Sequence, residues 1–180
     1  MKHAIRVQRT VIRAAKPRWS YLPTSGEGAA RRGGRFNPIG EPALYTSLSH
    51  ESAAREVRFS LNQEPYTFYF LAVDCHHIVD LTSRETRLAL GITWEDIAND
   101  NWESEMHQGL VPSTHVVAER LKGESYAGVL VNSFASGATP DDINLVLWDW
   151  DAVDYLPSSR PNAVMVLHRD DLPNSDVSWQ

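Results

Sequence analysis

Between Ser25 and Pro38 the chain reads SGEGAARRGGRFNP, and Arg31, Arg32 and Arg35 stand among Gly26, Gly28, Gly33 and Gly34. Glycine lets a backbone approach a ligand closely, and guanidinium forks match phosphate oxygens in a way that an ammonium does not. A flexible loop of this composition suits a phosphorylated small molecule. It is neither the dinucleotide fingerprint, whose G-x-G-x-x-G spacing is absent, nor a P-loop, because no Gly-Lys-Ser/Thr follows. Taken alone, it is equally compatible with a surface turn carrying solvated arginines.

A carboxylate follows within reach. Ser49 to Leu61 has the pattern of a helix. At about 100° per residue, Glu51, Arg55 and Arg58 share one stripe, with Glu51 and Arg55 spaced for an exposed i,i+4 ion pair. Ala53, Ala54, Val57 and Leu61 share the face turned to a core. Glu56 belongs to neither group and sits near Ser52, Ala53 and Ser60. A carboxylate at the edge of a buried face, beside small polar residues, is placed for a site. The competing reading is a boundary glutamate that caps a neighbouring loop.

The elements needed to position these groups can be read along the chain. Residues 4–14 form a strand, 15–24 a loop, and Pro42–Thr46 a short strand ahead of the Glu56 helix. Tyr66–Asp74 is a strand, rich in aromatic and aliphatic residues, and His77–Leu81 continues it after a bend. Short helices are predicted over Ser83–Leu90 and Thr93–Asn99, the second with Thr93 as N-cap. Asn101–Leu110 reads as the least structured segment, a lid or a partner-binding loop. A helix over Pro112–Leu121 ends at Gly123. The apolar run Ala127–Val131 is a buried strand that delivers Asn132 and Ser133 at its end. Asn144–Trp150 and Ala163–His168 are further strands, and a polar tail begins near Asp170. Strands and helices without regular βαβ alternation define an α+β fold.

Composition bounds the function. The 180 residues suit a single domain with a real core, spanning 1–180, and 42% hydrophobic with 22% charged residues is ordinary for a globular chain. No apolar run is long enough to span a membrane, and the N-terminus lacks a signal-peptide core, so a cytoplasmic location is expected. Cys75 is the single cysteine; in Cys75-His76-His77 neighbouring side chains alternate sides, so no metal is expected, and the reading is a strand-end cysteine with two surface histidines. A formal net charge of −6 and no basic tract argue against direct nucleic-acid binding, including a ribonuclease role, and are compatible with a basic protein partner.

GGRFNP, then PALYTS, then a helix with Glu56 eleven residues after Tyr45, resembles the RES domain, a family of bacterial toxins from toxin–antitoxin modules. The family more often has tryptophan where this chain has Phe36. The resemblance implies an ADP-ribosyltransferase-like architecture, a split and mostly antiparallel β core with helices around a cleft. It also implies NAD⁺ as substrate, cleaved at the nicotinamide–ribose bond through an oxocarbenium-like state. On that reading Arg35, with Arg31, holds the pyrophosphate, and Tyr45 offers an aromatic face to nicotinamide. Glu56 stabilises the developing charge on the ribose, and Ser133 hydrogen-bonds the nicotinamide amide or a phosphate. An early arginine of the family pattern falls at Arg13 or Arg18. The acceptor of ADP-ribose is first a cellular protein side chain (mono-ADP-ribosylation), with phosphate or water (an NAD⁺ phosphorylase or glycohydrolase that kills by depletion) as the alternative. A cognate antitoxin covering the cleft is the expected partner, and a non-catalytic interaction protein is the remaining reading.

Overall fold

A computed structural model describes residues 2–58 and 65–175. Its centre is a strand that changes partners halfway. β3 (Thr67–Asp80) pairs along one edge with β1 (Ala4–Ala15), antiparallel. Along the other edge, Leu71–Cys75 pairs with β7 (Asn162–Val166), and Ile78–Asp80 pairs in parallel with β4 (Gly128–Asn132). The change falls at His77, a non-glycine residue at φ 58°. That conformation is uncommon for an L-residue and marks a local kink. The bend expected between Asp74 and His77 is therefore a kink within one continuous strand, which places Cys75 inside the strand rather than at its end. Its thiol is fully buried, and burial pushes its pKa up to about 12.

β4 continues the sheet to β5 (Ile143–Leu147), β5 to β2 (Leu44–Ser47), and β2 returns to β1 through the single register pair Ile12–Ser47. These five strands close on themselves, while β7 and the short parallel β6 (Asp151–Val153) extend the sheet from the first half of β3. Antiparallel pairings predominate, as expected. The strand predicted over residues 144–150 ends early: β5 stops at Leu147, and the separate β6 opens at Asp151.

Period-two alternation sorts the core into two layers. Leu145, Leu147 and Leu130 join Val11, Leu71 and Val73 on one face. Val146, Val129 and Val131 turn the other way, against Phe36, Ile97 and Leu121. The second layer is covered by α6 (Ser113–Gly123), which buries Val117, Ala118 and Leu121, and by α4 (Trp94–Ile97), held by a complete Thr93–Asp96 capping box. α3 (Arg84–Leu90) starts at Ser83, whose side chain accepts from the Thr86 N–H.

Two segments expected to be irregular are helical. Glu27–Arg32 forms α1, six residues inside the supposed flexible loop, ended by Gly33 at φ 74°. Alanine and arginine are strong helix formers, and they outweigh Gly28 over this one and a half turns. Trp102–His107 forms α5, in the segment read as least structured, because Glu and Met continue a helix until Gly109 turns at φ 76°.

The Glu56 helix is α2 (His50–Arg58). Ser49 caps it, accepting from the Ser52 N–H at 3.1 Å. The expected extension to Leu61, with Ser60 and most of the following turn, lies outside the described residues. Arg55 does not pair with Glu51. Its Nε lies 3.2 Å from Asp142 Oδ2, and its Nη1 donates to the Gly137 carbonyl. The buried Ser52 hydroxyl donates to Asp142 Oδ1 at 2.8 Å. Asp142 thereby clamps α2 to the loop between β4 and β5. Its carboxyl is held down to about 2 by the Thr139 N–H, the Ser52 hydroxyl, the Thr139 hydroxyl and the Arg55 charge, against the opposing effect of burial. A carboxylate whose folded pKa lies below its unfolded one contributes stability above the unfolded value and loses it as pH falls through the folded value. Asp142→Asn is accordingly expected to lower stability near neutral pH by about 1–3 kcal/mol. Urea denaturation of the variant should show a flatter response than wild type between about pH 4 and pH 2.

No helix among the described residues is long and apolar enough to cross a membrane.

Candidate active site

The arginine-bearing segment is held rigidly although it contains two adjacent glycines. Asn37, fully buried, donates through Nδ2 to the carbonyls of Ala29, Pro38 and Glu41 at 2.8–3.1 Å. The Tyr45 hydroxyl donates to Asn37 Oδ1 at 2.8 Å and accepts the Phe36 N–H at 2.9 Å. Burial raises the Tyr45 pKa, only partly opposed by the Phe36 N–H and the nearby Arg35 charge, so the phenol stays neutral. From α6, His115 Nε2 lies 2.8 Å from the Gly34 carbonyl. A carbonyl only accepts, so this nitrogen carries the proton. Trp148 Nε1 donates to the Phe36 carbonyl at 2.9 Å.

Gly34 is required by proximity. A Cβ there would meet the Tyr45 hydroxyl, and would lie 2.6 Å from Asn37 Oδ1 and 2.8 Å from Tyr45 Cζ. Gly34→Ala should displace this hydrogen-bonded pair and destabilise the protein by about 1–3 kcal/mol. Thermal denaturation measures the effect; an unchanged midpoint would mean that the loop yields freely.

A cleft of about 480 Å³ opens beside this segment, bounded by the end of β1, α1, Tyr45, Tyr66 and Trp102. Among the described residues its lining carries Arg13, Lys16, Arg31, Arg32 and Arg35 against one acid, Glu27. A chain with net charge −6 and no basic tract in its sequence thus gathers a positive cavity from separate elements. Arg13 is the early arginine that faces this cleft; its Nη1 donates to the Pro23 carbonyl at 2.7 Å, and desolvation lowers its pKa to about 10. Arg18 is exposed outside the lining, 5.3 Å from the Trp19 ring centroid. Arg31 stands on α1, exposed, paired with Glu27 at 3.0 Å and 5.7 Å from the same ring centroid.

Arg35 also lines the cleft. Its Nη1 donates to the Asn99 carbonyl at 2.6 Å, its Nη2 lies 3.6 Å from the exposed Asp100, and its guanidinium carbon sits 4.2 Å from the Phe134 ring centroid. Desolvation lowers its pKa, opposed by the charges of Asp100 and Glu56 among others. Arg35 therefore belongs to the cleft and also feels Glu56, which lies beyond the lining.

Glu56 and Ser133 meet directly. Ser133 follows the last residue of β4, and its hydroxyl donates to Glu56 Oε1 at 2.6 Å while accepting the Ala135 N–H at 3.2 Å. The sequence reading directs that hydroxyl to a nicotinamide amide or phosphate; here its proton goes to the carboxylate. Asn144 Nδ2 also donates to Glu56 Oε1, at 2.6 Å. Ser52 and Glu56 are one helical turn apart on α2, and both reach residues of the β4–β5 connection and its flanks. The site accordingly has two parts. Arg31, Arg35 and Tyr45 line the basic cleft; Glu56, Ser133 and Asn144 form a carboxylate cluster next to it, linked through Arg35 and Phe134.

Sequence reasoning passed over Asn37, Phe134, His115 and Asn144. Asn37 stands within the quoted GGRFNP and Phe134 directly follows Ser133, so both carried a positional signal. Asn144 showed only as the polar head of an apolar strand. His115 carried none.

Residues 10–168 match the RES domain, and the chain belongs to that family. Two relatives named NAD(+) phosphorylase MbcT, from Mycobacterium tuberculosis and Mycobacterium bovis, are each 26% identical over 133 residues, which span 67% of this chain and 72% of theirs. The crystal structure of the M. tuberculosis MbcT–MbcA toxin–antitoxin complex matches with a TM-score of 0.63 at 24% identity, over 93% of this chain and 88% of that one, and shares the fold.

Proposed function

We propose that this chain is the toxin of a toxin–antitoxin pair, and that it splits the nicotinamide–ribose bond of NAD⁺ and passes ADP-ribose to inorganic phosphate. The observation that carries the reading is the carboxylate of Glu56, fixed on one oxygen by two donors, beside a cavity into which Arg13, Arg31, Arg32 and Arg35 are gathered. NAD⁺ has the matching layout: an anionic pyrophosphate along its length and, at one end, a ribose that becomes cationic as nicotinamide leaves. The arginines of the cleft hold the pyrophosphate through charge-assisted bonds. Glu56 stabilises the ribose charge that develops only in the transition state, the kind of interaction that accelerates the step rather than merely binding substrate. The Tyr45 ring, part of the lining, offers its face to the nicotinamide end.

In the reaction, the bond between ribose C1″ and the nicotinamide nitrogen breaks, and its electron pair leaves with nicotinamide. A phosphate oxygen forms the new bond to C1″, giving ADP-ribose 1″-phosphate. Phosphate as acceptor is favoured over a protein side chain because the curated relatives are named NAD(+) phosphorylases. The Ser133 hydroxyl, which donates to Glu56 and accepts the Ala135 N–H, serves as an orienting donor for that carboxylate. An antitoxin partner is supported by the structural likeness to the toxin of a toxin–antitoxin complex.

The test is incubation of the purified, antitoxin-free protein with NAD⁺ carrying label on the adenylate phosphate, with and without phosphate and cell lysate. Label in ADP-ribose 1″-phosphate, formed only when phosphate is present, supports the proposal. Label on a discrete protein band would replace it with protein ADP-ribosylation. Absence of nicotinamide release under every condition would refute NAD⁺ as substrate.

A further inference from the structure

We infer that Asn144 is a positioning residue for Glu56: held by Ser47, it fixes the carboxylate through Oε1 so that Oε2 is presented to the substrate ribose. The inference rests on the proposed NAD⁺ cleavage. Ser47 and Asn144 are register partners in the antiparallel β2–β5 ladder, so their side chains leave the sheet on the same face. The Ser47 hydroxyl, itself buried, lies 2.7 Å from Asn144 Oδ1 and donates to it. This leaves Nδ2 to point the other way, and there it meets Glu56 Oε1 at 2.6 Å. The orientation is chemically forced at the carboxylate, because a carboxylate accepts and an amide oxygen cannot donate.

Glutamate on an exposed helical position is otherwise free about three torsions, and ordering such a side chain is entropically unfavourable. A single bond from Ser133 would still allow the carboxylate to rotate about it. The second donor, arriving from a different strand, removes that freedom, and because both donors take the same oxygen, the other remains for ligand. Such support holds a reacting group in place before the substrate arrives.

Three variants and a spectroscopic measurement test the inference. Asn144→Ala should lower kcat about tenfold, the scale of one lost hydrogen bond to a charged group, with KM for NAD⁺ changed less than about threefold. Asn144→Asp keeps the shape and the bond from Ser47 but turns an anionic oxygen toward Glu56. It should fall further than alanine if donation to Glu56 is the role, and match wild type if the side chain merely fills space. Ser47→Ala, which releases the amide, should lie between wild type and Asn144→Ala. In parallel, the side-chain amide resonances of Asn144 should move on Glu56→Ala in ¹⁵N-labelled protein. Wild-type kinetics for Asn144→Asp, or amide resonances indifferent to Glu56→Ala, would overturn the inference. The resonance measurement does not depend on turnover, so it decides the Asn144–Glu56 contact even if NAD⁺ proves not to be the substrate.

Discussion

Glu56→Gln is expected to slow NAD⁺ cleavage by about a thousandfold, the upper range for removing one electrostatic stabiliser of a transition state. The amide keeps the size of the side chain and one carbonyl oxygen able to accept from Ser133 and Asn144, whose donor distances to Oε1 are both 2.6 Å. What disappears is the negative charge, and only the transition state needs it. The loss should therefore fall on kcat, with KM nearly unchanged. Because Glu56 is an exposed residue of α2 and the helix is anchored through Ser52, Arg55 and Asp142, the variant should unfold at the wild-type midpoint. In cells, the variant should no longer arrest growth yet still bind the antitoxin. Full toxicity from Glu56→Gln would remove the glutamate from the mechanism.

Arg35→Lys should lower kcat/KM about a hundredfold, which corresponds to losing two charge-assisted hydrogen bonds. Lysine keeps the charge but has no planar fork. It cannot both hold the Asn99 carbonyl and stack at 4.2 Å on Phe134 while presenting donors to a pyrophosphate. On the proposed reading the effect should appear mainly in KM, with kcat changed less, because pyrophosphate is bound alike in ground and transition states. That division distinguishes Arg35 from Glu56. Equal activity of the lysine variant would show that the residue supplies charge alone. Arg31→Ala provides the comparison: with its side chain exposed and paired to Glu27 at 3.0 Å, it should matter less than Arg35.

The α+β class, most strand positions and the motif from Ser25 to Glu56 could be read from the chain itself. Alternating apolar residues and turn signals are local properties, and β3, β4 and α6 follow them closely. The two helices missed, α1 and α5, are each six residues long. Over so short a span, glycine neighbours and polar residues mask the periodicity, and packing decides: Met106 of α5 lies against Gly33, where a Cβ would be 2.8 Å from its Cε. The Glu51–Arg55 ion pair was a sound inference from helical spacing, but a buried carboxylate from another loop, Asp142, offers Arg55 a stronger partner than an exposed neighbour can.

The site divides along the same line. Residue types and their order along the chain were enough to single out Arg31, Arg35, Tyr45, Glu56 and Ser133 and, with the family resemblance, to suggest a phosphate-bearing substrate beside a carboxylate. Only the tertiary structure decided which groups meet. Ser133 and Glu56 are 77 residues apart and Asn144 and Glu56 are 88 apart, yet each pair is within 2.6 Å. The basic cleft likewise joins Arg13 of β1 to the arginines of α1 and to Arg35. Closure of the five-stranded ring produces these contacts, through registers such as Ser47 opposite Asn144. Strand register is a long-range property: period-two alternation shows which face a residue occupies, but it does not specify the partner opposite it.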